Sequence, residues 1–164
     1  MTAPHTSRPD ALVWVLAGGV TAGALDIAFA SAFWALKAGV SPERIFQSVA
    51  AGLLGEAAFR GGAGTAALGL ALHVLIATSM AGAWYAAARR WPILVDQPLR
   101  FGMLYGLVLY VVMNYVVVPL SSAQPGSRDP LWVGLTVAVH ALLIGVPIAL
   151  AARRALRDRT PRLG

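Results

Sequence analysis

From Thr65 to Ala88 the chain carries no Asp, Glu, Lys or Arg, and Arg89 and Arg90 close the run. Few folds accommodate such a stretch. Bilayer hydrocarbon is roughly 30 Å thick, and a helix rising about 1.5 Å per residue crosses it with about 20 apolar residues. A helix on a soluble core would show a polar stripe down its water-facing side, and none is present. One imidazole, His73, interrupts the run.

The pattern recurs, and it predicts an all-α polytopic membrane protein with four transmembrane helices. The spans fall at about 11–36, 65–88, 101–118 and 131–152. Composition agrees: 12% of residues are charged, against roughly 25% in soluble domains, too few to cover a water-facing exterior. The absence of cysteine excludes disulfides, thiolate metal sites and thiol nucleophiles. The net charge of +6 could serve nucleic acid or a membrane surface. Basic residues at span ends and in the tail, without interleaved aromatics, favour lipid headgroups and exclude a nucleic-acid interface.

Residues 1–10, MTAPHTSRPD, read as a disordered lead-in with Asp10 as an N-cap. The first span is longer than the roughly 7–15 residues of a signal-peptide core, which argues against cleavage. It holds a GxxxG pair, Gly19/Gly23, and the small pair Gly18/Ala22; Trp14 and Trp34 sit near its ends. Small pairs let helix backbones approach closely in lipid, and indole rings favour the interface.

Ser41-Pro42-Glu43 reads as a helix start, with Ser as N-cap, Pro in the first position and an acid in the first turn. The helix, about 42–60, should place Phe46, Val49, Ala50, Leu53 and Ala57 on an apolar face opposite Glu43, Arg44, Gln47 and Ser48. Too short and too polar to span, it belongs in the outer interface or packed across one mouth of the bundle. Glu56 and Arg60, four apart, form a possible interfacial pair. Gly61-Gly62-Ala63-Gly64 should break the helix. The third span has its own GxxxG, Gly102/Gly106, and Pro119 should end it. In the fourth, Gly145 and Pro147 suggest a bend. Residues 153–164 form a basic tail.

Four spans put both termini on one side. That side carries Arg8, Arg89, Arg90, Arg100, Arg153, Arg154, Arg157, Arg159 and Arg162; the other carries Lys37, Arg44, Arg60 and Arg128. Positive residues are retained in the cytoplasm, so both termini should be cytoplasmic.

Each span also carries one polar group: Asp26, His73, Asn114 and His140. Counted from the outer ends at about 1.5 Å per residue, their depths are roughly 15, 12, 8 and 14 Å. Asp26, His73 and His140 therefore fall within one helical turn in depth, with Asn114 above them. The plainest reading is interhelical hydrogen bonding, worth about 0.6–2 kcal/mol per bond. The alternatives are a proton or ion relay, a zinc site built from His73, His140 and Asp26, and bis-histidine haem ligation. Nothing in the sequence separates the last three, and no cofactor is assigned.

No P-loop, dinucleotide fingerprint, HExxH or GxSxG elbow is present, so the chain is not expected to be an enzyme. A lipid-modifying reaction through His73 and Asp26 is the one catalytic reading these residues leave open. The strings PERIFQSVAAGLLG, GGAGTAALGLALH and YGLVLYVVMNYVVVPLS resemble a group of small uncharacterised bacterial integral membrane proteins, loosely the YagU-like inner-membrane proteins. That resemblance implies an inner-membrane location and a link to acid tolerance, and supplies no catalytic residues. The expected function is proton or ion conduction or sensing through the Asp/His layer. The rival is a structural subunit binding a second copy or another membrane protein, in addition to the lipid bilayer, through the glycine faces.

Overall fold

The computed structural model describes residues 11–157, so the lead-in, the Asp10 cap and the end of the tail lie outside the described residues. Four helices are long and apolar enough to cross a membrane. We label them α1 (Ala11–Ala38), α3 (Gly62–Ala88), α5 (Pro98–Leu120) and α6 (Pro130–Arg157). Between them lie α2 (Pro42–Leu54), continued as a 3-10 segment over Gly55–Arg60, and the short α4 (Ile93–Asp96). The chain is an all-α multi-pass membrane protein.

The helices run beyond the expected bounds. Pro98 occupies the first turn of α5, where its missing N–H costs nothing. The helix breaks at Gly61-Gly62 as expected, and Gly62, at φ +55, opens α3. The Thr65 hydroxyl donates to the Ala58 carbonyl at 2.6 Å and ties the 3-10 segment to the new helix. The first part of the expected tail, through Arg157, continues α6.

α6 is the central element. Its half from His140 onward packs against α1 and α5, and its last turns also meet α3. Close approach requires the glycines. A Cβ on Gly19 would stand 2.5 Å from Thr78 Cα on α3, and one on Gly18 2.5 Å from Ala151 Cβ on α6. A Cβ on Gly23 would meet Ala77 Cβ at 3.1 Å, one on Gly102 the Gly145 carbonyl at 2.9 Å, and one on Gly106 would collide with the His140 carbonyl. Both GxxxG faces are thus occupied within one chain, not left for a contact between protomers.

The half nearer residues 11 and 157, expected to be the inner one, is closed by Ala22, Ala81, Trp84, Leu109, Ile144, Ile148, Ala149 and Ala152. At that end Arg154 stacks on Trp14. At the opposite end the Lys37 ammonium pairs with Asp129, which also caps α6 by accepting from the Trp132 amide at 2.9 Å. Those two contacts align α1 and α6 antiparallel.

α2 differs from the sequence expectation. Ser41 caps it, accepting from the Arg44 amide at 3.3 Å. Its buried residues, however, are Gln47, Ala50 and Ala51, while Leu53, Leu54 and Ala57 are exposed. The helix is rotated so that small residues meet α3, where a Cβ on Gly69 would strike the Phe46 carbonyl. Buried Gln47 is satisfied, donating to the Gly62 carbonyl at 3.1 Å.

The expected Glu56–Arg60 pair is absent: among the described residues no ion pair joins them, and Glu56 accepts from Gln124 at 3.2 Å. The cause is the 3-10 winding of Gly55–Arg60. At three residues per turn, positions four apart point about 120° away from each other.

Candidate functional site

α1 and α6 separate toward the end of the bundle opposite residues 11 and 157. α1 approaches α6 closely only along residues 140–157, and the wider outer gap is filled by the rings of Phe29, Phe33, Trp34 and Trp132, the Phe29–Trp132 pair stacked at 5.7 Å. A cavity of about 530 Å³ lies between the helices in this half. α2 and residues 121–127 roof it. The roof is held by the Ser122 amide donating to the Gly52 carbonyl at 3.0 Å and by the Gln124–Glu56 bond.

Asp26, His73, Asn114 and His140 all line this one cavity. Each arrives there for a local reason. Asp26 stands three residues beyond Gly23, which brings α1 against α3 at His73. His73 Nε2 lies 2.9 Å from the Gly23 carbonyl and 3.8 Å from Asp26 Oδ2. A carbonyl only accepts, so the Nε2 proton is the donor, and Nδ1 is the basic nitrogen of the neutral ring. His140 Nδ1 sits 3.0 Å from the Thr136 carbonyl, and by the same argument Nε2 is its basic nitrogen. Asn114 donates to the Tyr110 carbonyl at 2.9 Å, and the Tyr110 ring meets the His140 ring edge-on at 5.5 Å.

Asn114 and His140 share a backbone feature. Asn114 lies in a π-helical segment, Met113–Val117, and His140 opens a second, His140–Gly145. Each ends two residues before a proline, Pro119 or Pro147. A helical proline lacks the N–H for the carbonyl four residues back and presses its ring on it. For Pro119 and Pro147 that carbonyl belongs to Tyr115 and Leu143, inside the widened turns. The wider winding relieves the clash and re-aims the residues at its start.

The Asp26 carboxylate makes no hydrogen bond among the described residues, and His73 Nε2 stands 3.8 Å from it. Thr136, whose carbonyl serves His140, has a buried hydroxyl without a partner. The cavity wall contains no Lys, Arg or Glu.

Among the described residues no three His, Cys, Asp or Glu side chains converge to hold a metal ion. The zinc reading of His73, His140 and Asp26 fails on geometry, because the His73 nitrogen facing Asp26 is the one engaged with the Gly23 carbonyl. The same engagement removes the Nε2 lone pair that an axial haem ligand on His73 would use.

The sequence reading missed Thr136, Trp34 and Trp132 as cavity residues, and Gly69 as the contact that seats the roof. Only the glycine carried a signal, because with Thr65 four residues earlier it makes a small-xxx-small pair. Protein-family models, curated proteins and solved structures give no match to this chain, so the resemblance to the YagU-like proteins rests on the quoted strings alone.

Proposed function

We propose that this protein sits in the bacterial inner membrane with both termini in the cytoplasm, and that its Asp26–His73–His140 layer senses protons arriving from the outer side. One observation carries the reading: three separate helices bring one carboxylate and two imidazoles to the wall of a single outer-half cavity. Imidazole is the side chain whose charge changes in the physiological pH range, and protons taken up by both rings would turn a wall of net negative charge positive. The close packing of the inner half, from Ala22 to Ala152, favours sensing over conduction. The large exposed side chains, Leu16, Leu75, Leu104 and Leu142 among them, suit a surrounding of lipid tails. The rival subunit reading loses its glycine faces, which are already used inside the chain.

Trp34 and Trp132 line the same cavity and report on it. Tryptophan emission of the full-length protein in nanodiscs is expected to pass through a transition between about pH 5 and 8, and the H73Q/H140Q double variant to lose it. No wild-type transition, or one that survives the double substitution, removes the proposal. Liposomes bearing the wild type are expected to show no proton flux above empty liposomes.

A further inference from the structure

We infer that the outer-half cavity is a binding site for a hydrophobic organic cation, an apolar amine or quaternary ammonium, with its charged head at Asp26. The inference shares the cavity with the sensing reading but needs only its geometry. Four observations carry it. The cavity, about 530 Å³, falls in the range of pockets that take drug-sized molecules, roughly 300–1,000 Å³. Most of its wall is apolar, including Ile76, Met80, Met113 and Val117. Asp26 is its one acidic group, no Lys or Arg shares the wall, and the carboxylate has no hydrogen-bond partner among the described residues. Trp34, Trp132 and Phe59 stand on the same wall, and aromatic faces attract cations.

Other occupants fit less well. A neutral acyl chain would leave the carboxylate without a counter-charge in a medium of low dielectric, which is costly. An anion would face Asp26 directly. A bare metal ion finds no group of three ligands. A cation with an apolar body satisfies the carboxylate, covers the apolar wall and stacks on the indoles at once.

The probes are benzyltrimethylammonium, its uncharged carbon isostere neopentylbenzene, and anionic benzylsulfonate. Each is titrated calorimetrically into the full-length protein in nanodiscs, with empty nanodiscs subtracted. Saturable binding of the ammonium is expected, with the uncharged isostere weaker by about tenfold or more and no binding of the sulfonate. Asp26→Asn is expected to weaken the ammonium about tenfold, and Asp26→Glu, which restores the charge, to retain it. No saturable ammonium binding to the wild type, equal binding of the uncharged isostere, tighter binding of the sulfonate, or full binding to a folded Asp26→Asn each overturns the inference. The isostere comparison uses only wild type, so a poorly folded variant does not spare the inference. Because the pH titration is done without any probe, ammonium binding beside a flat titration sinks sensing alone, and a pH transition without ammonium binding sinks this inference alone.

Discussion

At the residue scale, space decides what a side chain costs. Gly106 and Gly134 look alike in sequence, both glycines inside an apolar span. A Cβ on Gly106 would strike the His140 carbonyl, whereas one on Gly134 meets nothing within 4 Å. Gly106→Ala should therefore destabilise by about 1–3 kcal/mol through overpacking. Gly134→Ala should be neutral or stabilise by up to about 1 kcal/mol through helix propensity. Thermal unfolding in detergent separates the two. Asp129 supplies a pH prediction. The hydrogen bond from Lys37, followed by that from the Trp132 amide, holds its carboxyl below the ordinary value of 3.8. A depressed carboxyl adds stability that is fully present above pH 3.8 and is lost as pH falls through its lower folded value. Asp129→Asn keeps an N-cap acceptor but not the charge. The wild type should be the more stable above that window, and the difference should vanish below it and shrink with added salt. Unfolding midpoints measured against pH read both.

At the element scale, the two π-helical segments are what aims the site. Proline at 119 and 147 was readable as an end and a bend; that each would widen the turn before it, and so set Asn114 and His140, was not. Whether a helix answers a proline by kinking, ending or widening depends on which neighbours hold the flanking turns, and α5 and α6 hold one another there through Gly102, Gly106 and Gly145. Pro147→Ala restores an N–H to the Leu143 carbonyl. It should return His140–Gly145 toward regular α winding, turn His140 off the cavity wall, and reduce or abolish the pH transition in tryptophan emission while helical circular dichroism is kept. An unchanged transition would show that the proline does not set His140. α2 carries a second lesson. Its apolar wheel pointed to Phe46, Val49, Ala50, Leu53 and Ala57; of these Ala50 is buried and Phe46 and Val49 half-buried, but Leu53 and Ala57 are exposed, and Gln47 from the expected polar face is buried. In lipid the outside is as apolar as the inside, so hydrophobicity does not choose the face; closeness of approach does.

At the molecular scale, the bundle is tight at one end and open at the other. Glycine and alanine contacts close the inner half, while rings and an ion pair hold the outer half apart around the cavity. The aromatic wedge is removable in principle: Trp132→Ala should enlarge the gap between α1 and α6 and weaken benzyltrimethylammonium binding without moving the inner core, which amide hydrogen exchange along α3 and α6 would follow. The arginine distribution predicts the sidedness. A reporter fused after Gly164 should read cytoplasmic, and a periplasmic reading would reverse the proposed direction of sensing.

The number of spans, their approximate ends and the common depth of Asp26, His73 and His140 follow from the chain alone, because a 1.5 Å rise and a fixed hydrocarbon thickness act on each helix separately. Which helices touch, which face of each is inside, and that four polar groups share one cavity belong to the tertiary structure. Those outcomes depend on the gap between backbones, and a gap is a property of two helices together: Gly69 matters because Phe46 lies across from it, and Asp26 meets His73 because Gly23 admits α3.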